Sequence, residues 1–162
     1  MRRKRRKSDC PVHFGMEVFG DPWSLLIVRD LMFKDRSTYT EFLRGEERIA
    51  TNVLADRLAR LEQDGILTSE RDPATGRAAR YALTPKGIDL LPILFDIIAW
   101  SAKYDPRSAA EPDFVQRLAA DRDGLENEIR AQLANVAARP ITETPRTAYP
   151  PHPSKGDQEA FT

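Results

Sequence analysis

The sequence predicts a mainly α-helical domain with one small β-hairpin, continued by a C-terminal helical extension, and three observations point to it. Apolar residues recur at helical spacing through most of the stretch 21–103. The period changes to two on either side of a turn-rich segment, 72–77. A capping side chain followed by proline opens a helix twice, at Asp21-Pro22 and at Thr84-Pro85.

In chain order, residues 1–9 begin with six consecutive cations, Arg2 to Lys7, that have nothing to bury, so a mobile basic arm is expected. Residues 10–104 read as one domain. Leu25, Leu26, Val28 and Leu31 carry the helix after Asp21 to about Lys34. Thr38 and Glu41 have capping-box spacing ahead of Phe42 and Leu43, and Gly45 can end that short helix. Leu54, Leu58 and Leu61 form the inner face of a third helix, with Asn52, Asp56, Ala59 and Gln63 opposite. Gly65 before Ile66 fits a left-handed C-terminal cap.

Leu67, Ser69 and Arg71, then Ala79, Tyr81 and Leu83, alternate as the two arms of a hairpin. After Thr84-Pro85, the residues Ile88, Leu91, Leu94, Phe95 and Ile98 make a wide apolar stripe that Pro92 must kink or split. Leu90, Ile97 and Trp100 widen it beyond what a small domain needs. Part of it is therefore expected to meet a second copy, with Leu91, Leu94, Phe95 and Ile98 as the dimer interface. In 105–138, Phe114, Val115 and Leu118, then Leu125, Ile129, Leu133 and Val136, predict one or two amphipathic helices. Residues 139–162 contain five prolines and no apolar period, so a disordered tail is expected there.

Composition narrows the function. With 41% hydrophobic and 31% charged residues the chain has the make-up of a folded soluble domain. No run approaches the roughly 20 apolar residues of a membrane span, so no membrane association and a cytoplasmic location are expected. One cysteine precludes an internal disulfide, and Cys10, His13 and His152 are too few and scattered for a zinc site. No nucleophile, base and acid set and no phosphate-cradling glycine loop is present, so neither an enzyme nor a cofactor is expected. The net charge of zero divides into +3 for 1–107 and −3 for 108–162, and the basic arm supplies the whole positive excess.

Three helices, a hairpin and a further helix are the order of a winged helix-turn-helix, in which the third helix can enter a major groove about 12 Å wide. The candidate DNA-binding residues are Thr51, Asn52, Asp56, Arg57, Arg60, Arg77 and Arg80. Asn52 can bond adenine through its amide, and Arg57 and Arg60 lie where phosphates are reached more readily than bases. Thr51 has two readings, a base contact or the helix N-cap. Asp56 also has two, an acceptor for a cytosine amino group or a solvated carboxylate. Arg77 near the hairpin tip and Arg80 at its return are placed for the backbone or a narrow minor groove, or for solvent.

Cys10-Pro11-Val12, Gly20, Trp23, Leu54, Leu58, the run Leu61 to Leu67 and the run Tyr81 to Gly87 occur in order, and together they resemble the HxlR-type, MarR-like family of winged-helix regulators. The resemblance spans about 10–104. It implies a homodimer acting on a two-fold operator in double-stranded DNA, with the terminal helices of the domain between the subunits. Ala50 and Asn52 depart from the family's usual serine and basic residue at the start of the third helix, and Thr75-Gly76 from its proline-rich wing tip.

Some members of that family sense oxidants through a cysteine corresponding to Cys10, which makes Cys10 the candidate redox sensor here. Its neighbouring cations suit thiolate chemistry, whereas a plain small buried residue is the competing reading. A small-molecule effector is the other regulatory option, with Trp23, Phe95, Trp100 and Tyr104 either bordering a pocket or serving as ordinary core. A winged-helix adaptor that binds protein is the rival to DNA binding, since fold alone does not fix function.

Overall fold

The computed structural model describes residues 8–70 and 79–137. Eight helices and one antiparallel hairpin are present among them. The first helix, α1 (Pro11–Phe19), starts with Pro11 after an extended Cys10. Sequence reading placed order near Pro11 but no helix, because Val12, Phe14, Met16 and Val18 alternate with a period of two, a strand-like signal. Their helical arrangement leaves Val12, Phe14 and Met16 exposed.

Helix α2 (Ser24–Phe33) begins where the Asp21 carboxylate accepts from the backbone N–H groups of Trp23 and Ser24, at 2.9 and 3.0 Å. It buries Ile27, Val28 and Met32. The capping box of α3 (Tyr39–Leu43) is complete: Thr38 Oγ1 accepts from the Glu41 amide while the Glu41 carboxylate accepts from the Thr38 amide at 2.8 Å. Helix α4 (Thr51–Gln63) buries Leu54, Leu58 and Leu61. Gly65 then adopts φ +68°, and the Ile66 amide donates back to the Leu61 carbonyl at 2.9 Å, which turns the chain directly into the hairpin.

Strands β1 (Leu67–Glu70) and β2 (Arg80–Leu83) pair antiparallel with Leu67 opposite Leu83 and Glu70 opposite Arg80. The tip, including Arg77, lies outside the described residues. Strand β2 is fixed to the body by the Tyr81 amide donating to the Ser37 carbonyl at 2.7 Å. Thr84 accepts from the Gly87 amide to cap α5 (Pro85–Ile88) and also donates to the Gly65 carbonyl at 2.6 Å. A side chain at Gly87 would put its Cβ 2.1 Å from the Ile66 carbonyl oxygen, so glycine is needed for this close approach.

Pro92 does split the apolar stripe in two: α5 ends at Ile88, and α6 (Leu91–Tyr104) begins with Pro92 in its first turn, where no N–H is needed. Helices α7 (Pro112–Ala120) and α8 (Arg122–Ala137) follow. They do not stand apart, since Leu118, Leu125, Ile129 and Leu133 join the same buried cluster as Val28, Leu54 and Phe95. Helix α7 packs on α6, and α8 packs on α7 and β2.

This packing corrects the expected dimer interface. Leu91, Leu94 and Phe95 are buried within their own chain, where Phe95 meets Phe114 of α7 edge to face at 6.0 Å. They are not available to a second copy. The large apolar side chains that α6 leaves exposed are Ile97, Trp100 and Tyr104, while Ile98 is half-buried. The aromatic set is likewise divided, with Phe95 in the core and Trp100 stacked on Tyr104 at the surface, 5.3 Å between centroids.

Candidate nucleic-acid interface

Helix α4 sits at the surface with one apolar side turned inward and a polar side turned out. Its exposed residues are Thr51, Asn52, Ala55, Asp56, Ala59, Arg60, Glu62 and Gln63, and Glu62 accepts from the Ser69 hydroxyl of the hairpin at 2.7 Å. No large apolar side chain interrupts that face, and the two alanines keep it shallow enough for close approach to a duplex. Tyr39 anchors its start by donating from its hydroxyl to the Thr51 carbonyl at 2.7 Å. The capping reading of Thr51 is removed: Ala50 occupies the N-cap and supplies no side-chain bond, so the Thr51 hydroxyl is not used as a cap.

Two of the predicted cations are engaged by the protein itself. Arg57 is half-buried, its Nη1 donating to Asp21 Oδ2 at 3.2 Å and its Nη2 to Asp56 Oδ2 at 2.6 Å. It therefore pins α4 to the start of α2. The Asp21 carboxyl is correspondingly held below its usual value: burial works to raise it, but bonds from the Ser24 hydroxyl and from the Trp23 and Ser24 amides, with the Arg57 charge, outweigh that. Arg80 is half-buried at the start of β2, opposite Glu70, near enough to Glu41 to help lower its pKa, and does not project as a solvent-exposed wing residue. Glu41 itself is pulled down against the effect of burial mainly by the Ser37 and Thr38 amides.

Asp56 is exposed and accepts from Arg57, so a solvated, ion-paired carboxylate is its state in the free protein. Asn52 and Arg60 remain open on the outer face. Sequence reasoning passed over Arg44 and Arg48, which are exposed in the turn that leads from α3 into α4. Arg48 stands in the left-handed region at φ +54°. Their position immediately before the third helix was the available signal, because that turn borders whatever the helix touches.

A second network braces the helix pair from behind. Asp30, almost fully buried, accepts from Arg29 Nε at 2.9 Å and from Arg36 Nη1 at 2.8 Å. Arg29 also donates to Glu47, and this bond, together with the Arg29 charge, lowers the Glu47 carboxyl to about 2 despite partial burial. These arginines are structural ties, and their charge is spent before any ligand arrives.

Cys10 is exposed at the N-terminal end of α1, and its amide donates to Ser8 Oγ at 3.1 Å. Among the described residues no group of His, Cys, Asp and Glu could hold a metal ion, and no helix is long and apolar enough to cross a membrane.

Residues 18–109 match the family described as HxlR-like helix-turn-helix. The HTH-type transcriptional regulator YvaP of Bacillus subtilis is 30% identical over 99 residues, which is 60% of this chain and 91% of YvaP. Among solved structures, the reduced form of the transcriptional regulator YodB from B. subtilis aligns with TM-score 0.52 and 28% identity, over 62% of this chain and 99% of that one. The redox regulator HypR in its oxidised form aligns with TM-score 0.53 and 29% identity, over 58% and 96%.

Proposed function

The chain belongs to the HxlR-like helix-turn-helix family of transcriptional regulators, and we propose that it binds a two-fold operator in double-stranded DNA as a homodimer, with α4 in the major groove. The observation that carries this reading is the outer face of α4, polar and small over its whole length, with Asn52 near its start and Arg60 farther along. Asn52 reads a base edge, and Arg44, Arg48 and Arg60 hold the backbone by charge. Thr51 assists at the helix start, and Arg77 serves the wing against the backbone or minor groove. Arg57 and Arg80 act as positioning residues, and Asp56 keeps Arg57 in place.

Dimerisation through α1 and α6 accounts for their exposed apolar side chains, Val12, Phe14 and Met16 on one and Ile97, Trp100 and Tyr104 on the other. Fluorescence anisotropy on duplexes from the chain's own upstream region tests the proposal. Affinity should fall steeply with salt, and Arg60→Ala should reduce the salt slope by about 1 while weakening all sequences alike. Binding that is indifferent to sequence, or absent, would leave the adaptor reading in its place.

A redox input through Cys10 is favoured by its exposure at the end of α1, and by likeness to a protein described as a redox regulator, HypR. Two Cys10 thiols of a dimer joined by peroxide would give one disulfide and two waters, and would alter the α1 contacts between subunits. Equal responses of wild type and Cys10→Ser to peroxide in the same DNA assay would remove this input.

A further inference from the structure

The C-terminal extension and α2 line a half-open cavity of about 280 Å³ that DNA binding does not use. Met32, Leu125 and Ile129, all buried, give it an apolar floor. Phe33 and Phe114, edge to face with centroids 6.2 Å apart, form part of its wall. Glu111, Asp113, Arg117 and Glu128 also line it; Glu128 is ion-paired with Arg117 and accepts from Gln132 Nε2 at 3.3 Å, and Asp113, exposed in the first turn of α7, adds a further negative charge. Met32 and Phe33 lie within the family match, but the other lining residues belong to α7, α8 and the residue before α7, beyond residue 109, where that match stops.

An apolar cavity of this size suits a small organic molecule. The charge of Asp113 at its edge, with Glu128 and Arg117 compensating each other, favours a cation over an anion. A bare metal ion is a poor occupant, because the floor is hydrocarbon and the acids form no ligating group.

We propose that this cavity binds a small lipophilic organic cation, such as an aromatic quaternary ammonium, with its apolar body on the Met32, Leu125 and Ile129 floor and its charge toward Asp113. Occupation bears on the hairpin, because α8 packs against β2 and Arg130 Nη1 on α8 donates to Asp89 Oδ1 at 2.9 Å, at the end of α5. An occupant that displaces α8 therefore displaces the root of the wing. This effector role rests on the DNA-binding reading, whereas the binding site does not.

Calorimetric titration of the full chain with benzyltrimethylammonium, without DNA, tests the site. Saturable binding at one molecule per chain is expected, about tenfold tighter than phenylacetate and weaker as salt rises. Asp113→Asn should weaken it about threefold with an unchanged circular dichroism spectrum. Gln132→Trp, which fills the cavity from its half-buried edge, should abolish it. No saturable binding, equal affinity for phenylacetate, or undiminished binding to a folded Gln132→Trp chain would overturn the proposal. If the ammonium binds as expected yet leaves DNA affinity unchanged, the effector role fails and the site stands. Failure of the unliganded chain to bind DNA would instead count against the DNA reading alone.

Discussion

Arg57 and Arg60 are three positions apart on one helix, yet their surroundings assign them opposite duties. Arg57 reaches Asp21, 36 residues earlier in the chain, and is only 19% exposed, whereas Arg60 is open to solvent. Helical spacing shows which side of α4 each occupies, but a distant acidic partner is a property of the fold, which is why the sequence treats the two alike. Accordingly, Arg57→Gln should lower the melting temperature and leave the salt slope of DNA binding near that of wild type. Arg60→Ala should do the reverse, and paired thermal melts and salt titrations distinguish them. Glu47 supplies a second residue-scale test. Its folded pKa of about 2 lies below its ordinary value of 4.5, so the Arg29 pair stabilises the fold fully above about pH 4.5 and the contribution is lost as pH falls toward 2. Glu47→Gln should therefore flatten the melting-temperature curve within that acid window and lower stability above it.

At the scale of elements, local chemistry was most legible where one side chain closes one helix end. The Thr38 and Glu41 capping box, the left-handed Gly65 and the Thr84-Pro85 start all follow from short-range hydrogen bonding that their residue types demand. Helix α1 was not legible, because its exposed apolar residues alternate and do not form an inward stripe. The reason for glycine at 87 was also hidden, since it lies in a carbonyl 21 residues away. Replacing Gly87 by Ala would drive a methyl into Ile66 O, the acceptor of the Thr84 amide and hydroxyl. The change should cost about 2 kcal/mol or more in chemical denaturation. Gly65→Ala should cost about 1 kcal/mol through its positive φ alone.

For the whole molecule, the sequence showed that α6 carries more apolar surface than one domain needs, but not which part each neighbour takes. The extension covers Phe95 through Phe114, leaving Trp100 and Tyr104, 65% and 58% exposed, on the outside. That partition follows from α7 folding back on α6, a tertiary event with no local sequence signal. If α1 and α6 form the subunit interface, Trp100→Glu should shift the chain toward monomer in analytical ultracentrifugation. Helix content should be unchanged, and DNA affinity should fall because each half-site would then be bound alone. In the proposed dimer a second copy would also set the spacing of the two α4 helices, and with it the spacing of the half-sites at about one or two turns of duplex.

The account stands most directly on a footprint of the full-length chain over DNA upstream of its own gene, run beside Asn52→Ala and Arg60→Ala. It predicts protection of a two-fold repeat, with Asn52→Ala relaxing the preference at one symmetric base position by about 1–3 kcal/mol and Arg60→Ala weakening every site in parallel. Protection without sequence preference, or a footprint that neither variant changes, would contradict the assignment of α4 as the element that reads DNA.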